Sequence, residues 1–203
     1  VAAARDARPE HFRARLGETL VDIRLNIAGR HNVRNALAAA ACTLALGVPA
    51  EAIVRGLAAF EPVSGRLRRT HTAQGVPLID DTYNANPDSM RAAIDVLADQ
   101  PAPRLMVMGD MGETGAQAEA FHREVGEYAV SRAIEQVWAV GKDMKAAAQM
   151  SGVQHWETVE ALLAEHPQAP TGIASILVKG SRFMKMERVV RAWAETASPQ
   201  GEH

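Results

Sequence analysis

Only one of the 203 residues, Cys42, is a cysteine, so no intramolecular disulfide can form, and the chain is expected to work in a reducing compartment. Aromatic residues are 4% of the chain and the formal net charge is -2, which argues against a basic groove lined with stacking rings and so against nucleic acid as a partner. Long apolar runs are missing too. The longest, Ala36 to Leu46, is alanine-rich and too short to span a bilayer. Val1 to Arg15 is polar and charged, without the pattern of a secretion signal. The expectation is a cytoplasmic protein with no membrane span. The remaining composition, 47% hydrophobic and 23% charged, suits a globular chain of one large or two small domains.

Two nucleotide-binding fingerprints are absent as well. The glycines of Gly109-Asp110-Met111-Gly112-Glu113-Thr114-Gly115 are spaced G-x-x-G-x-x-G, not the G-x-G-x-x-G of a dinucleotide fold. The only Gly-Lys pair, Gly141-Lys142, has Gln136 where a P-loop needs its first glycine and Asp143 where it needs Ser or Thr. Nothing in the chain can cradle a triphosphate by itself.

What is present begins with two segments that meet at Glu61-Pro62-Val63-Ser64-Gly65, giving expected domains over residues 1–62 and 63–203. In the first, 11–16 and 19–27 read as strands, 32–46 as a helix stopped by Gly47, and a second helix runs to Phe60. Two strands and two helices make a small core, like the tail of a larger α+β domain. In the second, apolar strands at 76–79, 105–108, 137–140 and 173–178 alternate with helical stretches near 87–98, 116–133, 142–150, 159–164 and 183–194. That alternation predicts an α/β, Rossmann-like, mostly parallel sheet with helices on both faces. The Ser198 to His203 tail is expected to fray.

Polar residues concentrate where the strand 76–79 stops, in Asp80-Asp81-Thr82-Tyr83-Asn84-Ala85-Asn86-Pro87. The carboxyl end of a strand is where α/β sheets bind ligands. Asn86 reads as a helix cap with Pro87 in the first helical position. Thr114 with Gln117 three residues later reads as a capping box, and Ser181 as the cap of the last helix.

Several polar segments occur together in one order: Gly29-Arg30-His31-Asn32-Val33-Arg34-Asn35-Ala36, Pro62-Val63-Ser64-Gly65-Arg66-Leu67, the Asp80 to Met90 loop, Gly109-Asp110-Met111, and Val178-Lys179-Gly180-Ser181-Arg182-Phe183-Met184-Lys185-Met186-Glu187. In this order the chain resembles the Mur ligases from about residue 20 to residue 193. Tyr83 to Pro87 and Lys179 to Arg182 point to the branch that adds D-Ala-D-Ala to UDP-MurNAc-tripeptide. The resemblance implies the end of a central ATP-binding domain followed by a complete carboxy-terminal domain. It also implies ATP, with Mg2+ held by ligands outside this chain and no metal ligands within it, and a monomer. The fragment is expected to be inactive alone, because it lacks the P-loop and the UDP-sugar domain. A folylpolyglutamate or cyanophycin type of ligase and a non-catalytic Rossmann-like binding module are the alternatives.

The resemblance assigns roles, each beside a plainer reading. Asn32 and Asn35 would contact adenine; otherwise Asn32 caps its helix and Asn35 is incidental. Arg66 would grip phosphate oxygens, or else stand solvated beside Arg68 and Arg69. Asp81 would hold the ribose hydroxyls, and with Arg66 is the catalytic pair the resemblance implies. Tyr83 would lie near the nucleotide, with Asn84 and Asn86 near the incoming dipeptide, unless the two asparagines serve only turns. Lys179, Ser181 and Arg182 would meet the dipeptide and its carboxylate, or be a solvated strand-to-helix turn. Thr114 stands where the family has leucine, and His122 has no chemistry assignable from the sequence.

Overall fold

The computed structural model describes residues 10–194. The Ser198 to His203 tail lies outside them. Contacts divide the chain into two compact units, Val1–Val63 and Ser64–His203.

The first unit is an antiparallel hairpin and two helices. Strands β1 (Glu10–Leu16) and β2 (Thr19–Leu25) pair from Glu10↔Leu25 to Leu16↔Thr19, turning at Gly17 with φ 62°. Alternate residues Ala14, Leu16, Ile23 and Leu25 are buried, as a half-covered strand requires. Helix α1 (Arg30–Ala45) and helix α2 (Ala50–Ala58) lie against this face, which holds Ala36, Ala40 and Ile53. Helix α1 begins before Asn32. Gly29, at φ 105°, offers its carbonyl to the amides of Asn32 and Val33, so the first turn closes without a side-chain cap.

The second unit is a six-stranded sheet in the order β3-β4-β8-β5-β6-β7. Its strands are β3 (Arg68–His71), β4 (Pro77–Asp81), β5 (Arg104–Gly109), β6 (Gln136–Val140), β7 (Val153–Trp156) and β8 (Ser175–Lys179). All neighbours run parallel except β3, which makes an antiparallel edge against β4. The mostly parallel sheet expected from the alternation is thus the one observed. Strand β8 is buried at all five positions, because helices cover both faces. Helices α3 (Pro87–Ala98) and α4 (Ala118–Ser131) pack together, as do α5 (Val159–Glu165) and α6 (Glu187–Trp193). Leu105, Val107, Ile176 and Val178 join the core that includes Trp193, while Met106, Met108 and Leu177 are buried on the alternate side of the same strands. Among the described residues no helix is long and apolar enough to cross a membrane.

Helix α3 starts as its sequence predicts. The Asn86 side chain accepts from Ser89 N at 2.8 Å, the Ser89 hydroxyl accepts from Asn86 N at 3.0 Å, and Pro87 is the first helical residue. Two other capping expectations fail. Thr114 has helical backbone angles, φ -88° and ψ -12°, so its hydroxyl makes no cap, and a short 3-10 turn over Gly115–Gln117 precedes α4. Ser181 also caps nothing. A 3-10 turn over Arg182–Met184 follows it, and Lys185 at φ 51° breaks the chain before α6. The stretch expected as a helix over 142–150 is a 3-10 segment, Asp143–Gln149. Strands β3 and β7 have only four residues each and are largely polar, RRTH and VQHW, so neither offers an apolar run.

Candidate functional site

The carboxyl ends of β4, β8 and β5 are neighbours in the sheet, and the loops that leave them hold the polar segments singled out in the sequence. Asp81 ends β4 and Lys179 ends β8, directly opposite in the parallel register. Their side chains therefore leave the same face, and Lys179 Nζ stands 2.7 Å from Asp81 Oδ2. The same ammonium donates to the Asn84 carbonyl at 2.7 Å, and the other Asp81 oxygen accepts from Leu67 N at 3.1 Å. Lys179 is 3% exposed. An ammonium so buried needs such partners, because leaving a charge unpaired in that environment costs several kcal/mol.

Asp80 points the other way and has a different task. One oxygen accepts from Gly65 N at 2.9 Å, and the other accepts from the Thr82 hydroxyl at 2.6 Å and from Thr82 N at 3.2 Å. These bonds fix the turn that presents Arg66. The Gly65 carbonyl accepts from Tyr83 N at 3.0 Å, and a Cβ on Gly65 would lie 2.9 Å from that nitrogen. Only glycine lets the two loops approach so closely. The Arg66 guanidinium lies over the Tyr83 ring, 4.2 Å from its centre, a cation-π contact that keeps the arginine ordered while much of the ring stays in solvent.

Asn84 and Asn86 are exposed at the head of α3. Asn84 Oδ1 accepts from Ala85 N at 2.9 Å and Asn86 Oδ1 is the α3 cap, so both asparagines do the turn work their residue type suggests. On the loop after β8, the Ser181 hydroxyl takes the Gly112 N–H and donates to the Ala85 carbonyl, while Arg182 is exposed. Asn32 and Asn35 belong to α1 in the first unit. Asn32 does not cap that helix: its amide donates to the Ala28 carbonyl at 2.7 Å, and Asn35 Nδ2 reaches Asn32 Oδ1 at 3.4 Å.

Two residues without an assigned role in the sequence reading prove central to the loop after β5. Asp110 is 6% exposed, its Oδ1 accepts from Met144 N at 2.8 Å, and its carbonyl accepts from Ser181 N at 3.0 Å. Burial pushes its carboxyl above the usual carboxylate range, against the opposing pull of the Met144 and Asp143 amides. Gly141, at φ 121°, leaves room for it: a Cβ there would sit 2.3 Å from the Asp110 carboxylate. His122 is fully buried. Its Nε2 accepts from Met111 N at 2.8 Å, and its Nδ1 donates to the Ala118 carbonyl at 2.6 Å. The only sequence signal for Asp110 was the strand-end motif itself. His122 gave none, since a helical histidine is legible only once the loop that packs on it is known.

The chemistry on offer is that of a polar-ligand rim: a carboxylate, a stacked guanidinium with an exposed aromatic face, and a second exposed cation, Arg182. Among the described residues no three of His, Cys, Asp and Glu gather to hold a metal ion.

Residues 65–182 match the model of the Mur ligase, glutamate ligase domain family. The chain is 45% identical over 181 residues to the UDP-N-acetylmuramoyl-tripeptide--D-alanyl-D-alanine ligase of Escherichia coli (strain K12), covering 88% of this chain and 40% of that protein. Its Haemophilus influenzae counterpart is 38% identical over 176 residues, covering 84% and 38%. Among solved structures, MurF from Acinetobacter baumannii superposes with a TM-score of 0.79 at 37% identity, over 89% of this chain and 41% of that one. The fold is also that of Thermotoga maritima MurF in complex with ADP, with a TM-score of 0.73 at 24% identity, over 86% and 40%. The chain spans about 40% of the length of the curated relatives it matches. By this match over most of the second unit, the chain belongs to the Mur ligase family.

Proposed function

We propose that this chain is the carboxy-terminal part of an ATP-dependent ligase that joins D-Ala-D-Ala to UDP-MurNAc-tripeptide in the cytoplasm, for peptidoglycan synthesis. Residues 1–62 are the end of its central ATP-binding domain and residues 63–203 its carboxy-terminal domain, and the enzyme acts as a monomer. The tripeptide carboxylate attacks the terminal phosphorus of ATP, giving an acyl phosphate and ADP. The amine of D-Ala-D-Ala then attacks the acyl carbon, loses a proton and expels inorganic phosphate. Mg2+ accompanies the ATP, with its ligands outside this chain.

The observation that carries this reading is the meeting of the three motif loops on the adjacent ends of β4, β8 and β5. On this reading each role has an owner. Asp81 and Tyr83 face the nucleoside, and Arg66 meets the phosphates from its seat on Tyr83. Asn32 and Asn35 on α1 serve the adenine. Arg182, the exposed cation after β8, takes the dipeptide carboxylate, with Asn84 and Asn86 beside it. The ADP complex of the Thermotoga maritima relative supports a nucleotide in the reaction.

Phosphate release by the full-length ligase tests the proposal. Release that requires both UDP-MurNAc-tripeptide and D-Ala-D-Ala, and that falls about a hundredfold or more in Arg66→Ala and Asp81→Ala, supports it. Release indifferent to the dipeptide, or near-normal rates in both variants, overturns it.

A further inference from the structure

The cation on the ligand-facing rim that a family likeness most readily offers to an anionic substrate is Lys179, and its surroundings argue for another use. Its side chain is 4% exposed, against 14% for that of Asp81. Two of its three N–H bonds are already directed, one to Asp81 Oδ2 and one to the Asn84 carbonyl, both at 2.7 Å. A carboxylate arriving from solvent would have to displace Asp81 or share the ammonium with it, bringing two anions together in a site of low polarity. The parallel register makes the Asp81 pairing intrinsic to the sheet, since residues 81 and 179 are Cα partners across β4 and β8.

We infer that Lys179 is a positioning residue for the β4 loop, not a ligand of the acceptor's carboxylate. It offsets the charge of Asp81, holds that carboxylate at the strand end, and ties the Asn84 carbonyl to β8. Both anchor points thus bracket Tyr83, the ring that seats Arg66. Ser181 repeats the device one pleat further along: its hydroxyl, also buried, joins the Ala85 carbonyl and the Gly112 amide. Lys179 and Ser181 together therefore strap the segment from Asp81 to Ala85, and loss of the Lys179 ties is felt more at the nucleotide, where Asp81 and Tyr83 lie, than at the dipeptide.

This inference rests on the proposed ligase reading, and its test separates the two. In the full-length ligase, Lys179→Met is expected to raise the KM for ATP about tenfold or more while the KM for D-Ala-D-Ala changes less than about threefold. Asp81→Asn/Lys179→Met should be no more than about threefold worse than Asp81→Asn, because the first change has already removed the partner. Lys179→Arg, which keeps the charge, should restore part of the loss. A tenfold rise in the dipeptide KM with an unchanged ATP KM would overturn the inference and make Lys179 a substrate ligand, and two unchanged KM values would overturn it equally. If Lys179→Met does not fold, the double variant is compared with Asp81→Asn: a dipeptide KM within about threefold supports the inference, and a tenfold rise overturns it. Should wild-type enzyme show no dipeptide-dependent turnover, the ligase reading fails first. Urea unfolding of the 203-residue chain then decides the strap: non-additive effects of Asp81→Asn and Lys179→Met support it, and additive ones sink it.

Discussion

The two units of this chain bury their apolar residues to different degrees. In the second, β8 is covered at every position and the core includes Trp138, Trp156 and Trp193, all three tryptophans of the chain. In the first, α1 has sixteen residues and buries two of them, both alanines, while Leu37 and Leu46 are 40% and 82% exposed. The later turns of α1, Ala36 to Ala45, are apolar apart from Thr43, yet most of their residues are exposed. The contrast teaches that the second unit closes a large apolar core, whereas the first holds two small clusters. Local stability should follow the same division.

The largest expected effect tests that division directly. Trp193 is 1% exposed, donates from Nε1 to the His166 carbonyl at 3.0 Å, and stands edge-on to Trp138 with ring centres 5.9 Å apart. Trp193→Ala should cost about 3–5 kcal/mol in urea unfolding of the chain, and Leu46→Ala no more than about 0.5 kcal/mol. Equal costs would erase the distinction between the units.

A glycine pair sharpens the comparison at intermediate size. Gly141 and Gly47 both have positive φ, 121° and 80°, but a Cβ on Gly141 would strike the Asp110 carboxylate whereas Gly47 has nothing within 4 Å. Gly47→Ala should destabilise by about 1 kcal/mol, from backbone strain alone, and Gly141→Ala by clearly more, about 2–3 kcal/mol. Similar losses in thermal unfolding would show that Asp110 yields easily, and that the loops after β5 and β6 are not braced against each other.

The smallest effect is electrostatic. The Arg104 guanidinium holds the Glu135 carboxyl down to about 2, chiefly through its hydrogen bonds. A depressed carboxyl contributes stability that is present above its unfolded value and is lost as pH falls through the folded one, here between about 4.5 and about 2. The Glu135 side chain is 38% exposed, so solvent screening keeps the contribution below about 1 kcal/mol. Glu135→Gln should flatten the acid limb of the stability profile in that window. Asp22→Asn should change stability at neutral pH by no more than about 0.5 kcal/mol, because the first unit's Arg13–Asp22 pair, at 3.4 Å, is between exposed side chains.

Much of the architecture was legible in the sequence because its signals are local. The strand at 105–108, the helix at 87–98 and the cap at Asn86 depend on runs and turn residues a few positions apart, and the structure has each of them. What could not be read depends on neighbours distant in sequence. The polar strands β3 and β7 form because an apolar strand lies beside each. Thr114 had the residue type for a cap but not the backbone angles. The site was legible as residue types and only partly as geometry. Asp81, Tyr83 and Arg66 could be named, but nothing within ten residues of Lys179 reveals that it points at Asp81, and nothing near His122 reveals Met111.

The position of β8 has a consequence in time as well as in space. It is the last strand among the described residues, yet it lies between β4 and β5 in the middle of the sheet. A ribosome that has made every other strand has therefore made two sheet fragments with a gap between them, and the long sequence separation of the missing pairings makes their closure slow. When residues 175–179 emerge they join the fragments and deliver Lys179 to Asp81 in a single insertion. Completion of the sheet therefore also brings together the Lys179–Asp81 pair, which a product ending before β8 lacks.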